Sequence, residues 1–271
     1  MPIEVELATK RLQLQEGGLL TRILDEAVAA TGMELGTVLD FGGRSGANLQ
    51  LLADRQRIQR RVCFDFTPPA TPLSGIEYVS GAWTELAAHV PPHSVDLILA
   101  VEVIEHVYDP DAMLAFCRRL LRPGGVLLLT TPNLSSLVSR LSLLLGWQPL
   151  DTEVSTVTRF GFPGATRWSV VGHIRVFTFR ALLEFLRFHD WRIERAYTVA
   201  QGRTAPTGGR LSGALGFYAR LDRFAGHFGR RLASHSIAVV RPNDPPPVRE
   251  GTGPVVSADP RERTPPSPTG E

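Results

Sequence analysis

Two short runs of this chain, Val95 to Val101 and Val126 to Thr130, are almost continuously apolar, and a punctuated helical segment separates them. A strand wet on one face alternates apolar and polar residues. A run that is apolar on both parities must be covered on both faces. Two such strands joined through a helix lie parallel, because the crossover returns the chain in the same direction. The intervening helix carries its own signals. Asp109 stands at the cap position, Pro110 at the first helical position, and Arg122-Pro123-Gly124-Gly125 ends it, with Leu114, Cys117 and Leu121 toward the sheet.

The same alternation extends in both directions. Gly17 to Ala30 reads as an opening helix with Leu20, Ile23, Leu24, Ala27 and Val28 on one face. Thr37 to Phe41 is a strand that runs into Gly42-Gly43, and Ala47 to Asp54 is a short helix. Arg61 to Asp65 and Ile76 to Ser80 are the second and third strands. After Asn133 the regularity breaks for about 40 residues, longer than an ordinary connection. It resumes at Thr178, which caps a helix burying Phe179, Leu182, Leu183 and Leu186. Trp191 to Val199 is a sixth strand, a second irregular insertion starts at Gln201, and Ser236 to Val240 is the last strand. The pattern predicts an α/β fold: a doubly wound, Rossmann-like sheet with helices on both faces. Ligands of such sheets sit at the carboxyl ends of the strands.

Composition sets the outer bounds. Over 271 residues, 43% hydrophobic content is enough for one sizeable core. A formal net charge of +2 gives no global drive toward nucleic acid or acidic lipid. Cys63 and Cys117 lack a CxxC partner and read as small core residues in a reducing compartment. Met1 to Lys10 lacks the apolar run of a signal peptide, and Leu134 to Leu145, interrupted by Arg140, is too short to span a bilayer. The expectation is a cytoplasmic protein without a membrane span. From Pro242 onward nine of 30 residues are proline, with no aromatic, Leu or Ile. Such a segment buries too little to offset its ordering entropy, so 242–271 is expected to be a disordered tail behind a 1–241 domain.

The first turn reads Asp40-Phe41-Gly42-Gly43-Arg44-Ser45-Gly46. Its glycines let backbone approach a ligand, although the GxGxxG dinucleotide spacing is not met. Asp65 closes the second strand, where a carboxylate accepts both hydroxyls of a ribose. Turn and acid together favour a nucleoside-containing cofactor. The decisive stretch is Val95 to Asn133, VDLILAVEVIEHVYDPDAMLAFCRRLLRPGGVLLLTTPN. Here the chain resembles the class I S-adenosylmethionine-dependent methyltransferases. Asp40 to Gly46 is similar to their D-x-G-x-G-x-G turn. Glu102 to His106 with Asp109-Pro110 is similar to E-V-L-E-H-V-x-D-P. Leu121 to Asn133 resembles the L-x-P-G-G strand ending T-P-N, and His173 to Thr178 resembles H-x-R-x-F-T.

The resemblance implies a seven-stranded sheet, mostly parallel with its last strand antiparallel, and S-adenosyl-L-methionine as cofactor. By the same resemblance Asp40, Gly42, Gly43 and Gly46 hold the methionyl end, Asp65 the ribose, and Glu102 and Val103 flank the cofactor. The chain departs from the family pattern twice. The middle glycine of the turn is Arg44, whose side chain must point away from cofactor unless the turn takes another path. The acid of a G-D-A-x-x-L segment is Ala82, leaving Trp83 to stack on or wall off the adenine and its N–H to reach a ring nitrogen.

Two histidines are candidates for catalysis. His106 reads as a general base or as a structural residue bonded to nearby backbone. His173 sits at the end of the first insertion. With Arg175 it would either meet a hydroxylated or acidic acceptor or pin the insertion to the domain. His89, His93, His189, His227 and His235 show no clustering, and no set has metal-ligand spacing, so no metal is expected. The insertions 134–172 and 201–232 are expected to cover the acceptor side. Leu211, Leu215, Tyr218, Leu221, Phe224, Phe228 and Leu232 recur at helical spacing, either as a cover helix or as an interfacial contact. The resulting expectation is O-methylation of a small hydroxylated, lipid-linked or saccharide acceptor, with no nucleic-acid partner. The competing expectation is a non-catalytic relative that keeps the fold as a binding or scaffold subunit.

Overall fold

A computed structural model of the chain describes residues 19–32, 34–162, 170–200, 218–226 and 231–243. Its regular elements begin with α1 (Leu19–Thr31), β1 (Leu35–Phe41), α2 (Ala47–Ala53), β2 (Ile58–Asp65), β3 (Glu77–Ser80) and α3 (Trp83–His89). They continue with β4 (Val95–Val101), a 3-10 turn over Ile104–His106, α4 (Pro110–Leu120), β5 (Leu121–Pro132) and α5 (Leu137–Leu144). They end with α6 (Phe179–Phe188), β6 (Trp191–Val199) and β7 (His235–Pro242). The seven strands form one sheet in the order β3-β2-β1-β4-β5-β7-β6. All neighbours run parallel up to β5, and β7 is antiparallel to both β5 and β6. This is the sheet the sequence predicted.

Every residue of β4 is buried, as two-sided cover requires. One face packs Leu39, Phe41, Ile98, Leu114, Cys117 and Leu182 together. The other packs Leu20, Ile23, Leu24, Leu49, Leu97 and Leu128. The helix starts follow their signals. The Asp109 side chain accepts from the Ala112 amide at 2.9 Å to start α4, and Thr178 accepts from Ala181 at 3.1 Å to start α6. Cys117 is fully buried, and burial pushes its thiol up to about 12.

Three expectations need correction. Leu134 to Leu145 contains a helix, α5, capped by Ser136, and Trp83 to His89 forms another. Pro242 is not the first residue of a tail: it pairs with Trp191 as the last residue of β7, and the Asn243 amide donates to the Asp190 carbonyl at 2.9 Å. In the second insertion residues 218–226 are helical, but the buried positions are Tyr218, Ala219, Asp222 and Ala225, while Phe224 faces out. Tyr218 and Leu221 keep the packed positions the spacing expected, and the buried Asp222 carboxylate accepts from the Ser234 amide and hydroxyl. The remaining expectations for the segments around Leu211, Leu215, His227 and Phe228, for the start of the chain and for 244–271 lie outside the described residues. Among the described residues no helix is long and apolar enough to cross a membrane.

The two insertions pack on each other. Val138 of α5, Leu150 and Tyr218 form a small core of their own. Asn133, fully buried at the end of β5, ties this cover to the sheet. Its amide group donates to the Ala233 carbonyl at 2.8 Å, and its side-chain oxygen accepts the Phe179 amide at 3.1 Å.

Candidate active site

The carboxyl ends of β1, β2 and β4 open into a cavity of about 250 Å³. Phe41, Gly42, Arg44, Phe64, Asp65 and Phe66, from the ends of β1 and β2 and the residues that follow them, line it. Glu102, Val103, Glu105, His106 and Val107 after β4, with Val171 and His173, complete the lining. The β1 turn forms the floor. Gly42 has φ 75°, a conformation that side chains resist, and a Cβ on it would meet Val103 Cγ2 at 2.7 Å. Asp40 lies beneath the turn, buried, with Asn48 donating to its Oδ1 at 3.3 Å. A Cβ at Gly43 would come within 2.5 Å of that carboxylate. Asp40, Gly43 and Gly46 therefore shape the turn from below and behind, and Gly42 and Asp65 face the cavity.

Arg44 keeps the left-handed backbone, φ 47°, that a glycine would supply. Its amide donates to Asp65 Oδ2 at 3.0 Å, so the turn and the β2 carboxylate are fastened together. Arg44 itself lines the cavity. Ala82 and Trp83 are not among the lining residues. The Trp83 ring stacks on Phe116 at 5.6 Å and meets Phe41 edge-on at 5.8 Å, which gives its face protein partners. Phe41, Phe64 and Phe66 bring aromatic rings to the cavity, and Phe66 is 66% exposed.

Past β4 the chain is strained. Glu102 has φ 56°, and its amide donates to the Thr130 carbonyl at 3.1 Å. Thr130 Oγ1 donates to Glu102 Oε1 at 2.8 Å, and His235 Nε2 stands 3.3 Å from Oε2. His235 in turn lies 3.0 Å from Ser234 Oγ, which donates to Asp222 Oδ2 at 2.7 Å. A buried polar chain thus runs from the cavity wall into the second insertion. Sequence reading passed over His235, since it is remote from the motif; only its place at the start of an apolar strand marked it.

Glu105, His106 and His173 converge at the other end. Glu105 is fully buried and accepts from Thr131 Oγ1 at 3.0 Å. The two rings lie 4.9 Å apart. His106 Nδ1 faces the Gly172 carbonyl at 3.0 Å, and His173 Nδ1 faces the Asp151 carbonyl at 2.8 Å. Carbonyls only accept, so each Nδ1 carries the hydrogen and Nε2 is the basic nitrogen of the neutral ring. Each ring is thereby fixed against backbone of the first insertion and also lines the cavity. Arg175 is exposed over the Tyr108 ring at 5.4 Å and is not among the lining residues.

A buried carboxylate positions His173. Glu153 accepts the amides of Val171, Gly172 and His173 at 2.8, 2.7 and 3.2 Å. It pairs with Arg159 at 3.1 Å, both side chains 6% exposed or less.

Comparison with known proteins gives a consistent result. A family model described as a methyltransferase domain matches residues 12–195. The ubiquinone biosynthesis O-methyltransferase of Parvibaculum lavamentivorans is 39% identical over 84 residues, 29% of this chain and 32% of that protein. The protein of the same name from Xanthomonas euvesicatoria is 29% identical over 137 residues, 49% of this chain and 50% of that protein. The chain thus spans 32% to 50% of the length of these curated relatives. The Burkholderia thailandensis 1,6-didemethyltoxoflavin-N1-methyltransferase, with bound 1,6-didemethyltoxoflavin and S-adenosylhomocysteine, matches with a TM-score of 0.52. It is 16% identical, over 90% of this chain and 91% of that one, a likeness of fold.

Proposed function

The chain belongs to the class I S-adenosylmethionine-dependent methyltransferases, and from that premise we propose that it methylates a hydroxyl oxygen of a small, lipophilic acceptor. The observation that carries the reading is the pairing of the His106 and His173 rings, 4.9 Å apart, in the lining of the cavity that Asp65 also lines. A hydroxyl received there has its proton drawn off as the new bond forms, a contribution of typically about 10²–10⁴-fold.

The residues fit the cofactor. Asp65 at the β2 end is held by the Arg44 amide with its carboxylate at the cavity, suited to the two hydroxyls of a ribose. The Gly42 turn brings bare backbone to the cavity beside Val103. When bound, the cofactor supplies a methyl group already activated on a sulfonium. The chain's task is then alignment and exclusion of water. Phe41, Phe64, Val103 and Val171 give the cavity apolar walls, and the insertion carrying His173 closes one side. Leu143, Leu144, Leu145 and Trp147, 40–80% exposed at the end of α5, leave apolar surface on the cover for a lipophilic tail. The names of the curated relatives support the same acceptor class.

The test is release of S-adenosylhomocysteine with a panel of phenols and catechols, with and without isoprenoid tails, run beside amines and RNA. Turnover on the phenolic acceptors alone, lost in His173→Ala while S-adenosylhomocysteine still binds, is the expected result. Turnover on RNA or amines only would refute the acceptor assignment.

A further inference from the structure

A second cavity, of about 600 Å³, is built from the first insertion and the residues just after it, and shares Val171 and His173 with the lining of the cavity at the sheet. The shared segment is held in place, since Glu153 accepts the amides of Val171, Gly172 and His173. Size decides what each cavity holds. Pockets that enclose one small ligand measure roughly 300–1,000 Å³. The cavity at the sheet, about 250 Å³, falls below that range and does not hold a nucleoside cofactor together with the body of an acceptor. The second cavity falls within it. Val154, Val170, Val171 and Ile174 give this cavity apolar surface, and Val154 and Ile174 are 67% and 55% exposed. Ser155 and Thr156 add hydroxyls. Glu153 lines it as well, but its carboxylate is committed to the three amides and to Arg159, and its side chain is only 4% exposed. Among the described residues no arginine or lysine lines this cavity. A phosphorylated ligand would bring its charge to a wall with no such cation to meet it.

We propose that the second cavity binds the apolar, uncharged body of the acceptor, with Val154 and Ile174 as the residues that select it. The inference rests on the methyl-transfer reading given above and deepens it: the reacting hydroxyl enters the first cavity beside His173, and the rest of the molecule lies in the second. An acceptor with an aliphatic substituent covers Val154 and Ile174 and removes them from water, and a bare phenol lacks the surface to do so. A nucleic acid, whose binding depends on cations that neutralise its phosphates, finds no arginine or lysine among the described lining residues. Val154 and Ile174 do not line the first cavity, so acceptor choice and cofactor binding are separable by substitution.

The experiment is calorimetric titration of the full chain, with S-adenosylhomocysteine present, by a phenol, the same phenol carrying a hexyl chain, and hexyl phosphate. Methyl transfer from S-adenosylmethionine to each phenol is measured alongside and reports the acceptor reading separately. The expected result is that the hexyl phenol binds at least about tenfold tighter than the bare phenol, and that Val154→Asn combined with Ile174→Gln removes this advantage. The affinities for S-adenosylhomocysteine and for the bare phenol should stay as in the wild type. Circular dichroism checks the fold, and either single substitution carries the test if the double variant fails to fold. Equal affinity for the two phenols, or an advantage that the substitutions leave unchanged, would overturn the subsite; methylation of the phenols would still leave methyl transfer standing. Tighter binding of hexyl phosphate than of the hexyl phenol would overturn the assignment to an uncharged ligand. A hexyl phenol whose binding depends on Val154 and Ile174 but which is never methylated would support the subsite and overturn the hydroxyl-methylation reading.

Discussion

Replacing Glu153 by Ala should loosen the segment that carries His173 without unfolding the sheet. Its carboxylate accepts three consecutive amides at 2.7–3.2 Å and pairs with Arg159, which is almost as buried as it is. Removing it leaves a buried guanidinium without its ion-pair partner, a change that costs about 3–5 kcal/mol. The segment lies on the cover rather than in the sheet, so the loss should appear as local opening. At about 1.4 kcal/mol per factor of ten, hydrogen exchange at Val171, Gly172 and His173 should quicken from about 10²-fold to a few times 10³-fold, while amides of β4 and β5 keep their protection. Adding Arg159→Met should recover part of the loss, because no uncompensated charge then remains. If exchange at these three amides is unchanged in Glu153→Ala, the carboxylate does not hold the segment and His173 owes its position to something else.

Asp65→Ala should weaken S-adenosylhomocysteine binding by about 1–3 kcal/mol, the loss of a charge-assisted hydrogen bond; calorimetry giving the wild-type Kd would remove Asp65 from the site. Gly43→Ala should lower stability by about 1–3 kcal/mol in urea unfolding, since its Cβ would sit 2.5 Å from Asp40 and 2.7 Å from Cys63 Sγ. An unchanged midpoint would show that the turn yields freely. Cys117, fully buried with its thiol pushed up to about 12, should resist a thiol reagent at pH 8 until urea unfolds the chain. Labelling of Cys117 in the folded protein would contradict its placement under the sheet.

The sheet was legible because its signals are local: continuous apolar runs, a Pro-started helix, a glycine turn. The starts of α4 and α6 and the span of β6 followed from caps and breaks alone, whereas Leu121 to Gly125, read as the end of α4, opens β5. Of the residues the sequence singled out, Gly42, Asp65, Glu102, Val103, His106 and His173 line the cavity, and Asp40, Gly43, Gly46, Ala82 and Trp83 do not. The turn residue Arg44 was read as an obstacle because residue type says nothing about the bond its amide makes to Asp65. Trp83 was offered to the adenine because its partners, Phe41 and Phe116, lie in other elements. His235, Glu153 and the Glu105–His106–His173 set share one trait: each depends on contacts across the chain, and no pattern within a window encodes them.

Glu102 is clasped by a histidine from the last strand, and that strand slots between β5 and β6. During synthesis, then, the wall beside Val103 is incomplete until residue 235 has left the ribosome, although every other strand of the sheet is already made. Until that moment the β5 edge is bare and apolar, open to pairing with the wrong strand. A chain stopped short of Ser234 would keep its glycine turn and Asp65 yet lack the clasp on Glu102, so maturation of the site is timed by the arrival of its C-terminal strand.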